Sequence, residues 1–174
     1  GFMQALGMPG GVFATRVEPQ DPPAFSPHGN DDIEFLVSAN PGQPPRPLAR
    51  VASGGELSRI SLALQVAAVE AAHLPCLVFD EVDAGLSGRA AAVVARKLET
   101  LASHDQFLAI THLPQIASRA TTHFRIEKQE RDGRVLTTVR GLDGHERIEE
   151  IARMLAGEAL SESALANARD LLAR

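Results

Sequence analysis

Short apolar runs alternate with longer segments of helical periodicity in the middle of the chain. The apolar runs lie at residues 76–79 and 107–110, and segments of helical spacing follow them at 87–101 and 113–119. Short strands that are apolar throughout and separated by helices are typical of a parallel sheet with helices on both faces. This pattern predicts an α/β fold built on a largely parallel sheet.

A longer helix is predicted before the first of these strands. Apolar residues from Leu57 to Ala71 recur at helical spacing, and Leu62, Val66 and Val69 extend the apolar surface to most sides of the helix. Because a helix that is apolar on most sides is typical of a protein interior, we expect this helix to be buried.

Two pairs of β-rich segments flank this α/β core. Residues 12–17 and 33–37 are predicted to form two antiparallel strands. Residues 124–127 and 135–139 flank a turn at 131–133, which predicts a hairpin at the edge of the sheet. The predicted sheet is therefore largely parallel, with an antiparallel edge.

Two helices are predicted at the end of the chain. Asp143 and Glu146 have the D-x-x-E spacing of a capping box, and Gly157 closes the apolar-periodic segment that follows them. A last helix starts at about Ser161 and carries one apolar stripe. With 174 residues, the chain is interpreted as a single domain.

The first ten residues are interpreted as a linker to an upstream segment. A turn cluster of Met, Pro and two Gly at residues 8–11 would end any helix that arrives from upstream. We therefore expect the chain to start in the middle of a longer protein.

Composition and charge narrow the class of protein. No apolar run approaches the ~18 residues that a membrane span needs, and no leader is expected at the N-terminus, so a cytosolic protein without a membrane partner is predicted. The single cysteine, Cys76, excludes a disulfide framework and is expected to be a small buried residue in a reduced compartment. The net charge of −5 argues against a broad DNA-binding surface, so any DNA contact is local or lies elsewhere.

Two adjacent carboxylates, Asp80 and Glu81, follow the apolar strand 76–79. Ligands of open α/β sheets bind at this edge, beyond the carboxyl ends of the strands. Asp80 would hold the hydration shell of Mg²⁺, and Glu81 would orient and deprotonate an attacking water. The alternative is that both carboxylates cap the helix that follows.

A glycine turn at Ser53, Gly54 and Gly55 opens the long helix. Backbone N–H groups and a hydroxyl at a helix N-terminus favour an anion such as a phosphate. The alternative is an ordinary serine N-cap with two turn glycines. The chain contains no G-x-x-x-x-G-K-[S/T] loop, so it could complete a nucleotide site but could not build one alone.

His112 and Asp83 are the remaining candidates at this edge. His112 follows the strand 107–110 and could hydrogen-bond the terminal phosphate or the attacking water, or serve as a structural residue. Asp83 lies in a loop suited to contact a second copy of the domain, or it forms a local Asx-turn.

Three segments together, 53–59, 78–85 and 110–117, resemble the C-terminal half of the RecN family, which are bacterial DNA repair proteins of the SMC-like branch of ABC ATPases. The resemblance extends through 152–157 and covers nearly the whole chain. Ala52 and Glu56 stand where the commonest ABC signature has Leu and Gln, and SMC-like proteins often carry Glu at the second position.

This resemblance implies that residues 11–174 form the C-terminal lobe of an ATPase head and that residues 1–10 end a returning coiled coil. It implies an N-terminal Walker A lobe in the same polypeptide, and two heads that enclose two ATP molecules with Mg²⁺. The signature residues Ser53, Gly54, Gly55 and Glu56 would act on the ATP of the second head. Asp80, Glu81 and His112 would act within their own head, and Asp83 would lie in the D-loop.

The family further implies ATP-driven head dimerisation coupled to DNA tethering in double-strand-break repair and recombination, in the cytoplasm at the nucleoid. The isolated chain, without the Walker A lobe, is expected to be inactive. Two alternatives stay open: a structural or interaction module without its own catalysis, and the ATP-binding subunit of an ABC transporter.

Overall fold

The computed structural model describes residues 2–22, 25–51, 53–72, 75–80, 83, 85–86, 88–131, 133–157 and 160–173. The chain divides into two compact units. The first comprises Gly1–Leu74 with Ala84–Ala90, and the second comprises Pro75–Asp83 with Ala91–Arg174. No helix of the described residues is both long and apolar enough to span a membrane.

The first unit combines an antiparallel sheet with one long helix. Its elements are α1 (Phe2–Ala5), β1 (Val12–Pro19), β2 (Asp31–Ser38), β3 (Arg46–Pro47) and α2 (Gly54–Ala72). β1 and β2 pair in antiparallel register along their full length, from Val12 opposite Ser38 to Pro19 opposite Asp31. The predicted pair of antiparallel strands is therefore confirmed.

Helix α2 is buried along one stripe, contrary to the prediction that most of its sides are buried. Ile60 and Val66 are almost fully buried, whereas Leu57 is exposed and so are Ala67 and Ala68. The prediction was wrong because apolar residues indicate that a helix could be covered but do not show which part of the protein covers it.

The second unit holds a parallel pair of strands, a hairpin and three complete helices. Its elements are β4 (Cys76–Phe79), most of α3 (Gly88–Leu101), β5 (Gln106–Ala109), α4 (Pro114–Ala117), β6 (Phe124–Arg131), β7 (Arg134–Gly141), α5 (Gly144–Ala156) and α6 (Glu162–Leu172). β4 and β5 pair in parallel, and β6 and β7 form an antiparallel hairpin. The strand–helix–strand–helix order and the hairpin are as predicted, although the described part of the hairpin forms a sheet of its own.

The parallel strands are covered on one face only. Phe79 is buried and stacks on Phe107, with ring centroids 5.8 Å apart. On the opposite face, Val78 is 63% exposed and its register partner Leu108 is 46% exposed. The prediction of helices on both faces therefore fails within this chain, and Cys76, predicted to be buried, is exposed on the open face.

Local capping signals fix the last two helices. The side chain of Asp143 accepts a hydrogen bond from the amide of Glu146 at 2.9 Å, and the carboxylate of Glu146 accepts one from the amide of Asp143 at 3.0 Å. Gly157 ends α5 with a φ of 81°, and Ser161 caps α6. The two helices and the end of α4 share an apolar core formed by Ala117, Ile151, Ala152, Ala164 and Ala168. The predicted capping box and both helices are confirmed.

Candidate functional site

The carboxyl ends of β4 and β5 bring two of the predicted site segments to one sheet edge. Phe79 lies opposite Ala109, and the amide of Ile110 donates to the carbonyl oxygen of Phe79 at 2.9 Å. Asp80 therefore leaves the sheet beside Ile110, with its side chain exposed. Glu81, the predicted general base, lies outside the described residues.

A single carboxylate oxygen of Asp83 organises the loop that follows β5. Oδ2 of Asp83 accepts hydrogen bonds from the hydroxyl of Thr111, from the amide of His112 at 2.7 Å and from the amide of Leu113 at 3.1 Å. The hydroxyl of Thr111 in turn accepts from the amide of Leu113 at 3.0 Å. One buried acceptor thus holds three consecutive residues of the loop.

Asp83 is only 2% exposed, and in the described part of the chain it is the one buried residue with a charged side chain. Burial by itself would raise the pKa of its carboxyl group. The hydrogen bonds from Thr111 and His112, together with the charge of the His112 ring, outweigh this effect and bring the pKa below its ordinary value. Asp83 is therefore a carboxylate that the fold stabilises in its charged form.

The same oxygen also contacts the ring of His112. Nδ1 of His112 lies 3.1 Å from Oδ2 of Asp83, while the His112 side chain is 76% exposed. When Nδ1–H donates to the carboxylate, the other ring nitrogen, Nε2, stays available to solvent or to a ligand. The ring is thus anchored at one nitrogen and presented at the other.

The glycine turn lies in the first unit, at the start of α2. The hydroxyl of Ser53 accepts a hydrogen bond from the amide of Glu56 at 3.4 Å, and the carbonyl of Ser53 accepts from Leu57 at 3.0 Å. A Cβ added to Gly54 would meet no atom within 4 Å. Ser53 therefore caps the helix while staying exposed, and the turn leaves open space above Gly54.

Gly85 packs against this turn within the first unit. It has a φ of +73°, and a Cβ added to it would lie 3.3 Å from the Cα of Gly55. Both features favour glycine at position 85, because other residues rarely adopt such a φ and their Cβ would be in tight contact with Gly55. Sequence reasoning gave Gly85 no role, although a glycine two residues after Asp83 could have been noticed as the site of a turn.

Glu56 occupies a different environment from the turn that precedes it. Its half-buried side chain lines a cleft of about 170 Å³ together with Arg46, Arg50 and residues from the end of β2. Its position in the first turn of α2 is favourable for a carboxylate.

No group of three or more metal-ligating side chains occurs among the described residues. Mg²⁺ in phosphate-transfer sites usually keeps several waters and uses only one or two carboxylates. The exposed Asp80 at the end of β4 offers such a hard oxygen donor, so its chemistry fits the predicted role.

The structure thus brings His112 and Asp83 together in one unit and Ser53, Gly54, Gly55 and Glu56 in the other.

Thr111 was missed by sequence reasoning. Its hydroxyl could have been noticed as a polar group directly before His112, but its partner is 28 residues away along the chain.

Comparison with known proteins identifies close relatives by sequence. A DNA repair protein RecN of Xylella fastidiosa is 48% identical over 171 residues, which are 98% of this chain and 31% of the relative. A DNA repair protein RecN of Deinococcus radiodurans is 50% identical over 98% of this chain and 29% of its own length. The chain thus spans about a third of the length of these curated relatives. No protein-family profile matches it.

Solved structures show the same fold at low identity. The Smc head domain of Pyrococcus yayanosii matches with a TM-score of 0.65 at 23% identity, over 86% of this chain and 27% of that one. A structure from work on ATP-driven dimerization and DNA-stimulated activation of SMC ATPases matches with a TM-score of 0.61 at 23% identity, over 91% and 89% of the two chains. The predicted fold class, an SMC-type head lobe, is confirmed.

Proposed function

We propose that this chain belongs to the RecN family and forms the C-terminal lobe of an ATPase head that acts in DNA repair. The high identity to DNA repair proteins over nearly the whole chain supports this role, and the fold of SMC heads supports the same assignment. Relatives of this kind favour an SMC-like ATPase over a transporter subunit.

The observation that carries the proposal is the arrangement at the carboxyl ends of β4 and β5. Asp80 and the Asp83–His112 pair follow two adjacent parallel strands, which is where α/β proteins bind nucleotides. A glycine turn that could receive a phosphate opens α2 of the same chain. An ATP site completed by several protein segments accounts for all of these features.

Each residue then has a task with ATP and Mg²⁺ as ligands. Asp80 would hold the hydrated metal, which when bound neutralises charge on the transferred phosphate. Glu81 would take the proton of the attacking water, and Nε2 of His112 would contact that water or the terminal phosphate. Ser53, Gly54 and Gly55, with Glu56 supporting the turn, would meet the terminal phosphate held by a second head.

An N-terminal lobe of the same polypeptide is the proposed partner for the open face of the parallel strands. Val78, Leu108 and Ile110 are large apolar residues with about half or more of their surface exposed. Parallel sheets are otherwise covered on both faces, and about two thirds of the length of the relatives lies outside this chain. The missing cover would also supply the loop that cradles the other phosphates.

The complete protein would couple ATP-driven pairing of heads to the tethering of DNA. Residues 1–10 would connect the lobe to the coiled coil, and DNA contacts would lie mainly outside this chain, since its net charge is −5. The isolated chain would act as an interaction module without turnover, because it lacks a Walker A loop.

The proposal is tested by ATP hydrolysis and self-association of the complete polypeptide. Glu81→Gln should keep ATP bound, lower turnover by roughly 10²-fold or more and let ATP-bound dimers accumulate. Glu162→Gln, at an exposed position of α6, is the matched control and should behave like the unsubstituted protein. Hydrolysis at the normal rate by Glu81→Gln would show that Glu81 is not the base.

A further inference from the structure

Asp83 is buried and its Oδ2 atom is engaged by groups of its own chain, although Asp83 lies in the loop where a contact with a second head was predicted. Four groups, all from residues 111–113, converge on its Oδ2 atom: one hydroxyl, two amides and the ring nitrogen Nδ1 of His112. A carboxylate with 2% exposure is poorly placed to recognise a partner molecule. Its contacts point to a task inside the head.

We propose that Asp83 is a positioning residue for ATP hydrolysis, which holds the backbone and the ring of His112 so that Nε2 is presented to the terminal phosphate or its attacking water. This inference rests on the proposed ATPase function. It adds an intramolecular task for Asp83 and a supporting one for Thr111.

The geometry gives the ring a defined orientation. The amide of His112 and its Nδ1 atom both contact the same oxygen of Asp83, at 2.7 Å and 3.1 Å. Two contacts from one residue to one fixed acceptor restrict rotation of the imidazole about its side-chain bonds. An exposed histidine without such an anchor would sample several rotamers and lose entropy on meeting its ligand.

The charge of the carboxylate strengthens this anchor. Hydrogen bonds to an ionised acceptor are shorter and stronger than those to a neutral one. Asp83→Asn keeps the size of the side chain but offers a neutral acceptor, so it separates charge from shape. The hydroxyl of Thr111 donates to the same oxygen. Thr111→Val removes this hydroxyl, whereas Thr111→Ser keeps it.

The first test compares steady-state kinetics of the complete polypeptide with Mg-ATP. Asp83→Asn should lower kcat by about 10- to 100-fold and leave the KM for ATP nearly unchanged, as expected for a residue that orients a functional group. Asp170→Asn, at an exposed position of α6, is the control and should leave both parameters unchanged.

The second test separates positioning from a general effect on folding. In a His112→Ala background, Asp83→Asn should have almost no further effect on kcat, because the group that it positions is absent. Equal losses in both backgrounds would overturn the inference. If Asp83→Asn does not fold, the variants Thr111→Val and Thr111→Ser provide the test instead. Thr111→Val should lower kcat, whereas Thr111→Ser should keep kcat close to that of the unsubstituted protein. Equal kcat for these two variants would also overturn the inference.

A spectroscopic test does not depend on turnover. In protein labelled with ¹⁵N in its histidine rings, Asp83→Asn should change the ring nitrogen signals that disappear in His112→Gln. Unchanged His112 signals would overturn the inference even if ATP hydrolysis is normal. Absence of hydrolysis in the unsubstituted protein, with altered His112 signals in Asp83→Asn, would instead reject the proposed function and keep the Asp83–His112 contact.

Discussion

Gly85 lies against the backbone of Gly55, the second glycine of the turn that opens α2. A Cβ on Gly85 would approach the Cα of Gly55 to 3.3 Å, and the φ of +73° at Gly85 already disfavours any other residue. Within the first unit, Gly85 is thus seated on the glycine turn through a contact between two residues that lack side chains.

Gly85→Ala should therefore destabilise the chain more than a change at a glycine with the same φ in open space. Gly133, with a φ of +72° and no atom within 4 Å of an added Cβ, is the matched control. Backbone strain alone should cost Gly133→Ala about 1–2 kcal/mol. Urea unfolding of both variants measures the difference, and equal losses of stability would contradict a close contact at Gly55.

Patterns that depend on neighbouring residues predicted the fold well. The capping box of Asp143 and Glu146 is a local spacing, and the structure shows both of its hydrogen bonds. The antiparallel strands predicted at residues 12–17 and 33–37 likewise agree with the observed pair β1 and β2. Short-range signals of this kind have a direct physical cause within a few residues of the chain.

Burial and long-range contacts could not be predicted in the same way. Cys76 was expected to be buried because its strand is apolar, yet the face that carries it is open in this chain. Exposed apolar residues indicate that burial of a surface would be favourable, but the residues that bury it can belong to another part of the protein. The link from Asp83 to Thr111 spans 28 residues, and no local spacing indicates which hydroxyl a buried carboxylate will meet.

The contacts of Asp83 predict a pH dependence of stability. Because its folded pKa lies below the ordinary value of 3.8, the charged carboxylate stabilises the fold above about pH 4, and this contribution is lost as the pH falls through the folded pKa. Asp83→Asn should therefore lower the free energy of unfolding more at pH 7 than at pH 3. Urea titrations at both pH values check this, with Asp170→Asn as the control. A loss that is the same at both pH values would contradict a stabilised carboxylate.

The open face of β4 and β5 predicts different behaviour of the isolated chain and the complete polypeptide. Val78→Glu should change the stability of the isolated chain by less than about 0.5 kcal/mol, because Val78 is 63% exposed there. In the complete polypeptide it should cost more than about 2 kcal/mol, because a charge would be buried beneath the N-terminal lobe. Denaturant unfolding of both proteins provides the measurement.

Ala166→Glu, at an exposed position of α6, is the control for Val78→Glu and should leave both proteins unchanged. Equal tolerance of Val78→Glu in the two proteins would mean that no lobe covers this face.

The absence of a phosphate-cradling loop predicts that the isolated chain shows no ATP turnover and at most weak ATP binding. Calorimetric titration with Mg-ATP and a phosphate-release assay test this directly. Micromolar affinity or steady hydrolysis by the isolated chain would show that the N-terminal lobe is not essential.

In the proposed mechanism, Ser53 of one head completes the ATP site of another head. The bulk of the arginine in Ser53→Arg should keep the second head from approaching, while ATP still binds to the substituted head. The affinity for ATP should therefore stay unchanged, whereas ATP-dependent self-association should be lost. Loss of ATP affinity in Ser53→Arg would instead place Ser53 in the pocket of its own head.

The most direct measurement mixes Ser53→Arg and Glu81→Gln forms of the complete polypeptide, each nearly inactive alone. Provided that one damaged site still permits engagement and that the two forms pair at random, about half of the dimers are mixed. Each mixed dimer has one site with both an intact Ser53 and an intact Glu81. ATP turnover should therefore reappear in the mixture, up to about a quarter of the unsubstituted rate. Turnover that stays at the sum of the two separate variants, while mixed dimers form, would contradict a site shared between two heads.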